Sequence, residues 1–521
     1  MDHVAPSPPS SADRTTDWLA IRTAPVEAWI ERNAALVFAI YTLLYFLHAI
    51  GASPQKLFWN DEYLAYWTSQ LRDFSTIWRS LREAPVAADL PLYHFASHLC
   101  RLLPIPRELS VRLPSIIGFW VMLCSVFIFV GRRTNALAAL FASSIVLASP
   151  AQGYAIEARP YGLLVGCVAS ALMCWQAASM REVRRFWPLL GMSVGIAAAL
   201  LSHYYAVFSI GAILAGEMVR SLTRRQWDRA MWLCILVPFL SMAVYIPLLP
   251  ATSMWRSGGG PPPAIASLLE GYLLGVSPVL VPALILAIVW PFFRKQVAVR
   301  PEAAFPVWEV AAALALFIAP VGGFAAGRLI THAYIGRYTL PFIAGSGILL
   351  GWGFYRSVVN RLVGLGLLIG LGTALFSIKT GVAEFFQHAP PAFAQIANLD
   401  PEAFRRYPSL PIAINRSEIF YADRLYGNPL WRNRCVAVID PEGARGVFRA
   451  EALAMSSLFE WTRRQWLPLP IEDISGFVRR NRQFLLWGEG LEPALIEKRG
   501  ARLEWLDQAG SAPVFLVVFP P

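Results

Sequence analysis

Two adjacent carboxylates, Asp61 and Glu62, lie in the segment 59–63 (WNDEY), directly after an apolar stretch. Carboxylates beside a lipid bilayer are costly to desolvate unless they face water, a metal or a cationic ligand. One interpretation makes Asp61 the base that takes a proton from an attacking hydroxyl, with Glu62 orienting that hydroxyl or a metal. The alternative is that the pair caps a helix in the membrane interface, and spacing alone favours this cap.

A second acidic site occurs at 157–161 (EARPY), where Glu157 and Arg159 precede Tyr161. Both charges are expensive in lipid and tolerable in a polar cavity, so the segment is a candidate ligand-binding turn. An interfacial turn anchored by Tyr154 and Tyr161, with Arg159 extending to the membrane surface, explains the same residues. The pattern does not decide between these two interpretations.

Two further segments place a cationic or titratable group beside tyrosines. His203 and Tyr204 follow an apolar stretch and are pocket candidates, although this pattern more often anchors a helix end at the interface. Arg337 and Tyr338 lie in a short loop, where a guanidinium can bind two phosphate oxygens at once. The alternative partner of Arg337 is an ordinary lipid headgroup.

A histidine pair is the remaining candidate for chemistry. His94 and His98 are four residues apart, a spacing that puts both imidazoles on one helix face, as a metal site requires, and Tyr93 adjoins them. The segment lacks the adjoining glutamate of zinc-binding helices, so core or interface histidines are favoured.

The composition shows which kind of scaffold must position these residues. The chain has 521 residues, of which 56% are hydrophobic and 15% charged, with a formal charge of +11. Soluble domains contain roughly 25% charged residues, so this much apolar surface exceeds what globular cores can bury. A disordered chain and a purely soluble enzyme are both excluded, and a polytopic membrane protein is predicted.

Apolar stretches of about 17–25 residues can cross a bilayer as helices. Eleven are predicted, at 34–51, 111–130, 135–151, 160–179, 187–203, 204–219, 231–249, 275–293, 307–326, 338–355 and 361–378. Arginine and lysine concentrate in alternate loops, which predicts a cytoplasmic N-terminus because cytoplasmic loops carry the basic excess. An odd number of spans then places the C-terminal segment outside the membrane.

The remaining segments are assigned to separate regions. Residues 1–33 are predicted to form a cytoplasmic tail, and the outer segment 52–110 to contain short interfacial helices. Residues 379–521 are predicted to form a small extracytoplasmic α/β domain, because short apolar runs alternate with helical patterns. The predicted strands are 411–415, 435–440, 483–488 and 514–519, and the predicted helices are 417–426, 449–466 and 492–499.

The order of these motifs resembles that of the GT-C superfamily of integral-membrane glycosyltransferases, and the resemblance covers residues 34–378. It rests on the segments 59–62 (WNDE) and 157–162 (EARPYG), with a His-Tyr after the fifth span and an Arg-Tyr before the tenth. Within the superfamily the chain looks like the bacterial branch of lipid A aminoarabinose transferase, protein O-mannosyltransferases and lipopolysaccharide-core galacturonosyltransferases. The implied fold is an all-α bundle of about eleven transmembrane helices.

The resemblance also implies a reaction. Such enzymes transfer a sugar, with inversion, from a polyprenyl-phosphate carrier to a glycan, lipid or protein hydroxyl outside the cytoplasmic membrane; no nucleic acid is involved. Asp61 would match the catalytic aspartate, with Glu62 beside it and Glu157 at the second acidic position. Arg337 would hold the donor phosphate, and Arg159 and Tyr338 are placed with it. Asp61 and Arg337 are then expected to face one polar cavity.

The metal requirement stays open at this point. A divalent metal held by Asp61 and Glu157, or the arginines alone, would stabilise the leaving phosphate. The chain also departs from relatives at 89–93, where DLPLY stands in place of His-Pro-Pro-Leu-Tyr. This leaves open whether Tyr93 and His94 contribute to the pocket.

Other functions compete with glycosyl transfer: a transporter or lipid flippase, a ligase using a diphosphate-linked polymer, and a scaffold in which Asp61 is dispensable. Acids deep inside spans would favour transport. Glu217 is expected near an inner end and Glu309 near an outer end, and recognisable inverted repeats are absent from the sequence. These features favour an enzyme.

Overall fold

The computed structural model describes residues 25, 28–180, 184–251, 263–277, 305–356, 401–440, 449–488, 496–497, 500–510 and 512–520. Most of the predicted tail 1–33, most of the predicted span 275–293 and all of the predicted span 361–378 lie outside these residues.

The described helices begin in the first predicted span and continue into the C-terminal segment. In chain order they are α1 (Ala34–Ala52), α2 (Asn60–Ser69), α3 (Phe74–Glu83), α4 (Pro91–Cys100), α5 (Arg107–Gly131), α6 (Ala136–Ala148), α7 (Tyr161–Ser179), α8 (Phe186–Ser202), α9 (Ala206–Arg224), α10 (Arg229–Leu236), α11 (Ile265–Ser277), α12 (Val307–Ala326), α13 (Phe342–Arg356), α14 (Glu402–Arg406), α15 (Ser417–Tyr426), α16 (Pro429–Arg432), α17 (Arg449–Arg463) and α18 (Ile474–Arg480).

Six helical stretches in the described part of the chain are long and apolar enough to cross a membrane. They are Ala34–Ala52, Arg107–Gly131, Tyr161–Ser179, Ala206–Arg224, Arg229–Ala251 and Val307–Thr331. A seventh span results if α6 and the 3₁₀ turn Pro150–Ile156 count as one element, although they meet at a bend of 75°. The prediction of a mostly helical membrane protein is confirmed, whereas the number eleven stays a prediction.

The chain divides into two compact units. The first consists of Met1–Gly51, Pro114–Met242 and Pro262–Ala383, and the second of Ala52–Leu113, Ala243–Pro261 and Glu384–Pro521.

In the first unit, α5 and α7 approach until their backbones touch. A Cβ atom added to Gly118 would lie 2.4 Å from the carbonyl oxygen of Gly162, and one added to Gly166 would lie 2.2 Å from that of Gly118. Only residues without a side chain permit this approach, which is the way small residues pack membrane helices. The contact sets the position of the N-terminus of α7, where Tyr161 lies.

Two buried acids of the first unit are paired with arginines. Glu309 binds the guanidinium of Arg133 and accepts a hydrogen bond of 3.0 Å from Gln176. Glu217 is bound by Arg220, with atoms 2.8 Å apart. Glu309 thus lies at the end of the bundle that carries Arg133, so its expected outer position and the predicted cytoplasmic position of the Arg133 loop do not both hold.

The second unit contains a six-stranded sheet in the order β3-β2-β1-β4-β6-β5. The strands are β1 (Ile412–Ile414), β2 (Cys435–Ile439), β3 (Ile471–Asp473), β4 (Gln483–Trp487), β5 (Arg502–Ala509) and β6 (Ala512–Val518). The first four strands are parallel, and β6 pairs antiparallel with β4 and β5.

Each of the four predicted strands coincides with an observed one, while β3 and β5 were not predicted. Strand β3 has three residues, and β5 carries mostly exposed polar residues, so neither presents a continuous apolar run. The first outer segment packs in the same compact unit as this sheet.

The α/β part contains a buried acid, Asp423 on α15, that leads to a stability prediction. Burial raises the pKa of Asp423 to about 6, although the Cys435 thiol and the charge of Arg424 lower it in part. Between its ordinary pKa near 3.8 and this raised value, the folded chain binds a proton that the unfolded chain has lost, so stability falls as pH rises.

Asp423→Asn is therefore expected to stabilise the protein at pH 7.5 by up to about 2–3 kcal/mol, since a pKa unit corresponds to about 1.4 kcal/mol. The gain should shrink at pH 4.5. Thermal unfolding in detergent at both pH values measures it, with the exposed Glu504→Gln on β5 as the control. A gain that is independent of pH would contradict the assignment.

Candidate active site

The N-terminus of α7 is the centre of a cationic and aromatic cluster in the first unit. The helix begins at Tyr161, directly after Pro160, whose ring suits the start of a helix. The preceding segment is held in place because the Ser115 hydroxyl donates a hydrogen bond of 2.6 Å to the carbonyl of Arg159. The turn 157–160 therefore has a defined path between the 3₁₀ turn and α7.

Two guanidinium groups surround the buried ring of Tyr161. Arg337 Nε donates to the Tyr161 hydroxyl at 3.1 Å, and the Arg337 guanidinium carbon lies 5.6 Å from the ring centre. The Arg159 guanidinium carbon lies 5.7 Å from the same centre. The aromatic face attracts each cation, yet two like charges on one ring repel each other, and an anion placed between them removes that cost.

His203 and Tyr338 extend the cluster. The ring centres of His203 and Tyr161 are 5.6 Å apart, and those of His203 and Tyr338 are 5.0 Å apart. The backbone N–H of Tyr205 donates to His203 Nδ1 at 3.1 Å. Because Nδ1 accepts this bond, a neutral His203 carries its proton on Nε2, which makes Nε2 a hydrogen-bond donor.

Three of the predicted segments are thus brought together: the turn with Arg159, the end of α8 with His203, and the loop with Arg337. Glu157 is half-buried and ends the 3₁₀ turn two residues before Arg159. Tyr204, also half-buried, lies between His203 and Tyr205 in the chain. The cluster presents cations, aromatic faces and a hydrogen-bond donor, which together suit an anionic, partly apolar ligand.

The Asp61–Glu62 pair lies in the second unit, at the start of α2. Glu62 is fully buried and forms two hydrogen bonds with Arg112, one from Nε to Oε1 at 2.8 Å and one from Nη2 to Oε2 at 2.7 Å. Glu62 also accepts a bond of 3.4 Å from the backbone N–H of Trp59, which caps the helix. Of the two interpretations given for the Asp61–Glu62 pair, helix capping therefore applies to Glu62.

Arg112 ties this helix start to the chain before it. Its Nη1 donates to the carbonyls of Ser53 and Lys56, and its Nη2 donates to that of Leu57 at 3.2 Å. One buried guanidinium thus holds both Glu62 and the turn that leads into α2. Asp61, which is partly exposed, points about 100° around the helix from Glu62, given 3.6 residues per turn.

The histidine pair on α4 faces two different partners. His94 Nε2 lies 3.4 Å from Asp89 Oδ2, whereas His98 Nδ1 lies 3.0 Å from the carbonyl oxygen of Ser69. The Tyr93 hydroxyl donates to the carbonyl of Val111 at 2.8 Å. Asp89 thus pairs with His94 across the turn.

Among the residues that the structure describes, no group of three or more His, Cys, Asp and Glu side chains is close enough to hold a metal ion. The role of Asp61 and Glu157 toward a metal stays a prediction.

The fold and part of the sequence match known proteins. Residues 90–250 match the family model described as dolichyl-phosphate-mannose-protein mannosyltransferase. The crystal structure of ArnT from Cupriavidus metallidurans in the apo state aligns with a TM-score of 0.56 and 13% identity, covering 95% of this chain and 98% of that one. The chain therefore has the fold of this ArnT.

A second structure of the same ArnT, bound to undecaprenyl phosphate, aligns with the chain at a TM-score of 0.53 and 14% identity, covering 92% of this chain and 97% of that one. No curated protein sequence matches the chain. At these identities the comparison of structures establishes the fold.

Three residues of the site are absent from the site residues that the sequence predicted. Tyr161 belonged to a turn whose interpretation was open between ligand binding and interface anchoring, and Tyr205 was only a neighbour of the candidate His203. Arg112 lies inside an otherwise apolar stretch, and a buried arginine there needs an acidic partner. That rule would have found the pair with Glu62.

Proposed function

We propose that this protein is an inverting glycosyltransferase that moves a sugar from a polyprenyl-phosphate carrier to an acceptor hydroxyl. The acceptor is a glycan, a lipid or a protein at the outer face of the cytoplasmic membrane. In the proposed membrane topology the N-terminus is cytoplasmic. The proposed reaction takes place in the cell envelope, which includes lipopolysaccharide.

The observation that carries the proposal is the grouping of Arg337, Arg159 and His203 around Tyr161. Two cations beside one buried aromatic ring suit an anionic ligand, and a lipid phosphate is an anion available at a membrane. The matched family model and the undecaprenyl phosphate bound by ArnT support a carrier of this class.

The cluster would act on the leaving group. When the bond between the anomeric carbon and the phosphate oxygen breaks, the electron pair stays on the phosphate, whose negative charge increases. Arg337 and Arg159 would stabilise that charge, and Nε2–H of His203 and the Tyr338 hydroxyl would donate to phosphate oxygens. Since the phosphate leaves as a stable anion, no general acid is needed.

Asp61 would act on the nucleophile. The acceptor oxygen attacks the anomeric carbon on the face opposite the phosphate, and its proton passes to the Asp61 carboxylate. Glu62 serves in this scheme as an anchor, because both of its oxygens accept hydrogen bonds from Arg112. If a divalent metal is used, carboxylate oxygens such as those of Asp61 and Glu157 would be ligands of the kind such ions prefer.

The transporter alternative has less support. Transport would use buried acids as proton or ion sites. Glu217 and Glu309, which are buried acids of the bundle, are both paired with arginines. Glu217 also accepts a hydrogen bond from Trp175 and Glu309 one from Gln176, both on α7, so the two acids serve as structural links between helices.

The test is to incubate the purified protein with a panel of polyprenyl-phosphate sugars and candidate acceptors and to measure released polyprenyl phosphate. Release that depends on an acceptor supports the proposal. Uptake of the lipid across a vesicle membrane without sugar transfer would instead favour a flippase.

Arg337→Ala is expected to raise the KM for the lipid-linked donor by about 10- to 100-fold, because a hydrogen bond to a charged group contributes about 1.5–3 kcal/mol. Arg337→Lys should recover part of this loss, since lysine keeps the charge but not the two-pronged geometry. The control is Arg328→Ala, which removes another arginine from the same loop region, one that is exposed and bonded to the carbonyl of Pro263. Equal donor KM values for Arg337→Ala and the wild type would make Arg337 structural.

A further inference from the structure

Within the second unit, helix α15 of the C-terminal segment packs directly on the outer segment that carries Asp61. Tyr63 of α2 is buried, and its ring centre lies 5.5 Å from that of Tyr421 and 6.5 Å from that of Tyr426. Tyr63 follows Asp61 by two residues, so the first turn of α2 rests on α15.

The hydroxyl of Tyr426 joins two parts of this outer segment. It accepts a hydrogen bond of 3.3 Å from the backbone N–H of Phe58 and donates one of 3.0 Å to Oε1 of Glu108. Phe58 precedes the first residue of α2 by two positions, and Glu108 lies at the start of α5. The Tyr426 hydroxyl thus connects the segment that leads into α2 with the first turn of α5.

Arg107 reinforces the same contact. Its Nη2 donates to the carbonyl of Leu425 at 3.1 Å, and its guanidinium carbon lies 4.8 Å from the ring centre of Tyr426. Arg107 also binds Glu108 at 2.8 Å. The Tyr426 ring is therefore held by Arg107 while its hydroxyl is held by Glu108.

A second contact lies further along the outer segment. Trp461 on α17 donates from Nε1 to the carbonyl of Ala84 at 2.8 Å, and the Ser457 hydroxyl donates to the carbonyl of Pro85 at 2.9 Å. Backbone carbonyls at the end of α3 are thereby fixed by side chains of the C-terminal segment. The C-terminal segment therefore contacts the outer segment at two places, which lie about 25 residues apart in the chain.

We propose that the C-terminal α/β segment is a positioning clamp for the catalytic base, with Tyr426 as the positioning residue that sets the entry to helix α2. This inference rests on the proposed role of Asp61. Tyr426 acts through the backbone of Phe58 and the first turn of α2. A base displaced by about 1 Å can cost up to about 100-fold in rate, and this sensitivity makes such a clamp effective.

The test replaces Tyr426 by phenylalanine, which keeps the ring and removes the hydroxyl. Two quantities are measured in the full-length protein: hydrogen–deuterium exchange of backbone amides at 58–64, and kcat and KM for sugar transfer. We expect faster exchange in that segment and a kcat about tenfold lower, with the donor KM unchanged. Tyr407→Phe, whose ring lies against Arg406 in the same α/β segment, is the matched control and should alter neither quantity.

The outcomes separate the clamp from the proposed function. Unchanged exchange at 58–64 overturns the clamp, and so does faster exchange with an unchanged kcat. A change confined to the donor KM also overturns it, because a positioning role for the base acts on kcat. If the wild type transfers no sugar from any donor, the proposed function fails, while the exchange result still decides whether Tyr426 orders this helix.

Discussion

Asp61→Asn is expected to lower sugar transfer by about 10²- to 10⁴-fold, the contribution usual for a general base. The amide keeps the shape of the carboxylate and cannot accept the acceptor's proton. Insertion and folding should be preserved, because the buried bonds at the start of α2 belong to Glu62 and Arg112. Radiolabelled sugar transfer and a thermal unfolding midpoint in detergent measure the two effects.

Glu418→Gln provides a matched acid-to-amide control for this experiment. Glu418 lies on α15, is exposed, and pairs only at the surface with Arg416 at 3.3 Å. It should leave both transfer and stability unchanged. Near-normal turnover by Asp61→Asn would remove the assignment of the base, whereas lost activity together with a lowered unfolding midpoint would make Asp61 structural.

The largest effect on stability is expected from Arg112→Met. This change leaves the Glu62 carboxylate buried without its guanidinium partner, and breaking a buried pair in this way costs about 3–5 kcal/mol. It also removes the donors for the carbonyls of Ser53, Lys56 and Leu57. We expect a strongly lowered unfolding midpoint and loss of transfer.

The double variant Glu62→Gln/Arg112→Met separates charge from packing. Because it removes the unpaired buried charge, it should be more stable than Arg112→Met alone, although its carbonyls still lack donors. A double variant that is no more stable than the single one would indicate that Arg112 acts through the carbonyls rather than through Glu62. Thermal unfolding of Glu62→Gln, Arg112→Met and the double variant, each compared with the wild type, completes this cycle.

Much of the architecture follows from local pattern. Long apolar runs identified the spans that the structure describes, and alternating short runs identified four strands of the sheet.

The features that the sequence did not predict depend on three-dimensional context. The break after α6 is one example, because Pro150 turns the chain by 75° inside an apolar stretch that reads as one span. Glu309 is another, since its partner Arg133 lies 176 residues away.

The candidate site shows the same division. The residue types of Arg159, His203 and Arg337 marked three separate segments, and the structure brings them to one ring. Their meeting point at Tyr161 could not be read from spacing, because it depends on how α7 and α8 pack. The sequence gives no reason to assign different roles to Asp61 and Glu62. Successive residues of a helix face different sides, so Glu62 is buried and anchors α2, whereas Asp61, the proposed base, is partly exposed.

The glycine contact between α5 and α7 limits how a lipid tail can reach the tyrosine at its end. With carbonyl oxygens already against Cα atoms at Gly118 and Gly162, neither helix can rotate or slide without lifting off the other. We therefore expect α5 and α7 to move together as one rigid pair. If the proposed donor is correct, its isoprenoid chain would enter the bundle between other helices, and its phosphate would bind beside a tyrosine whose position this helix pair fixes.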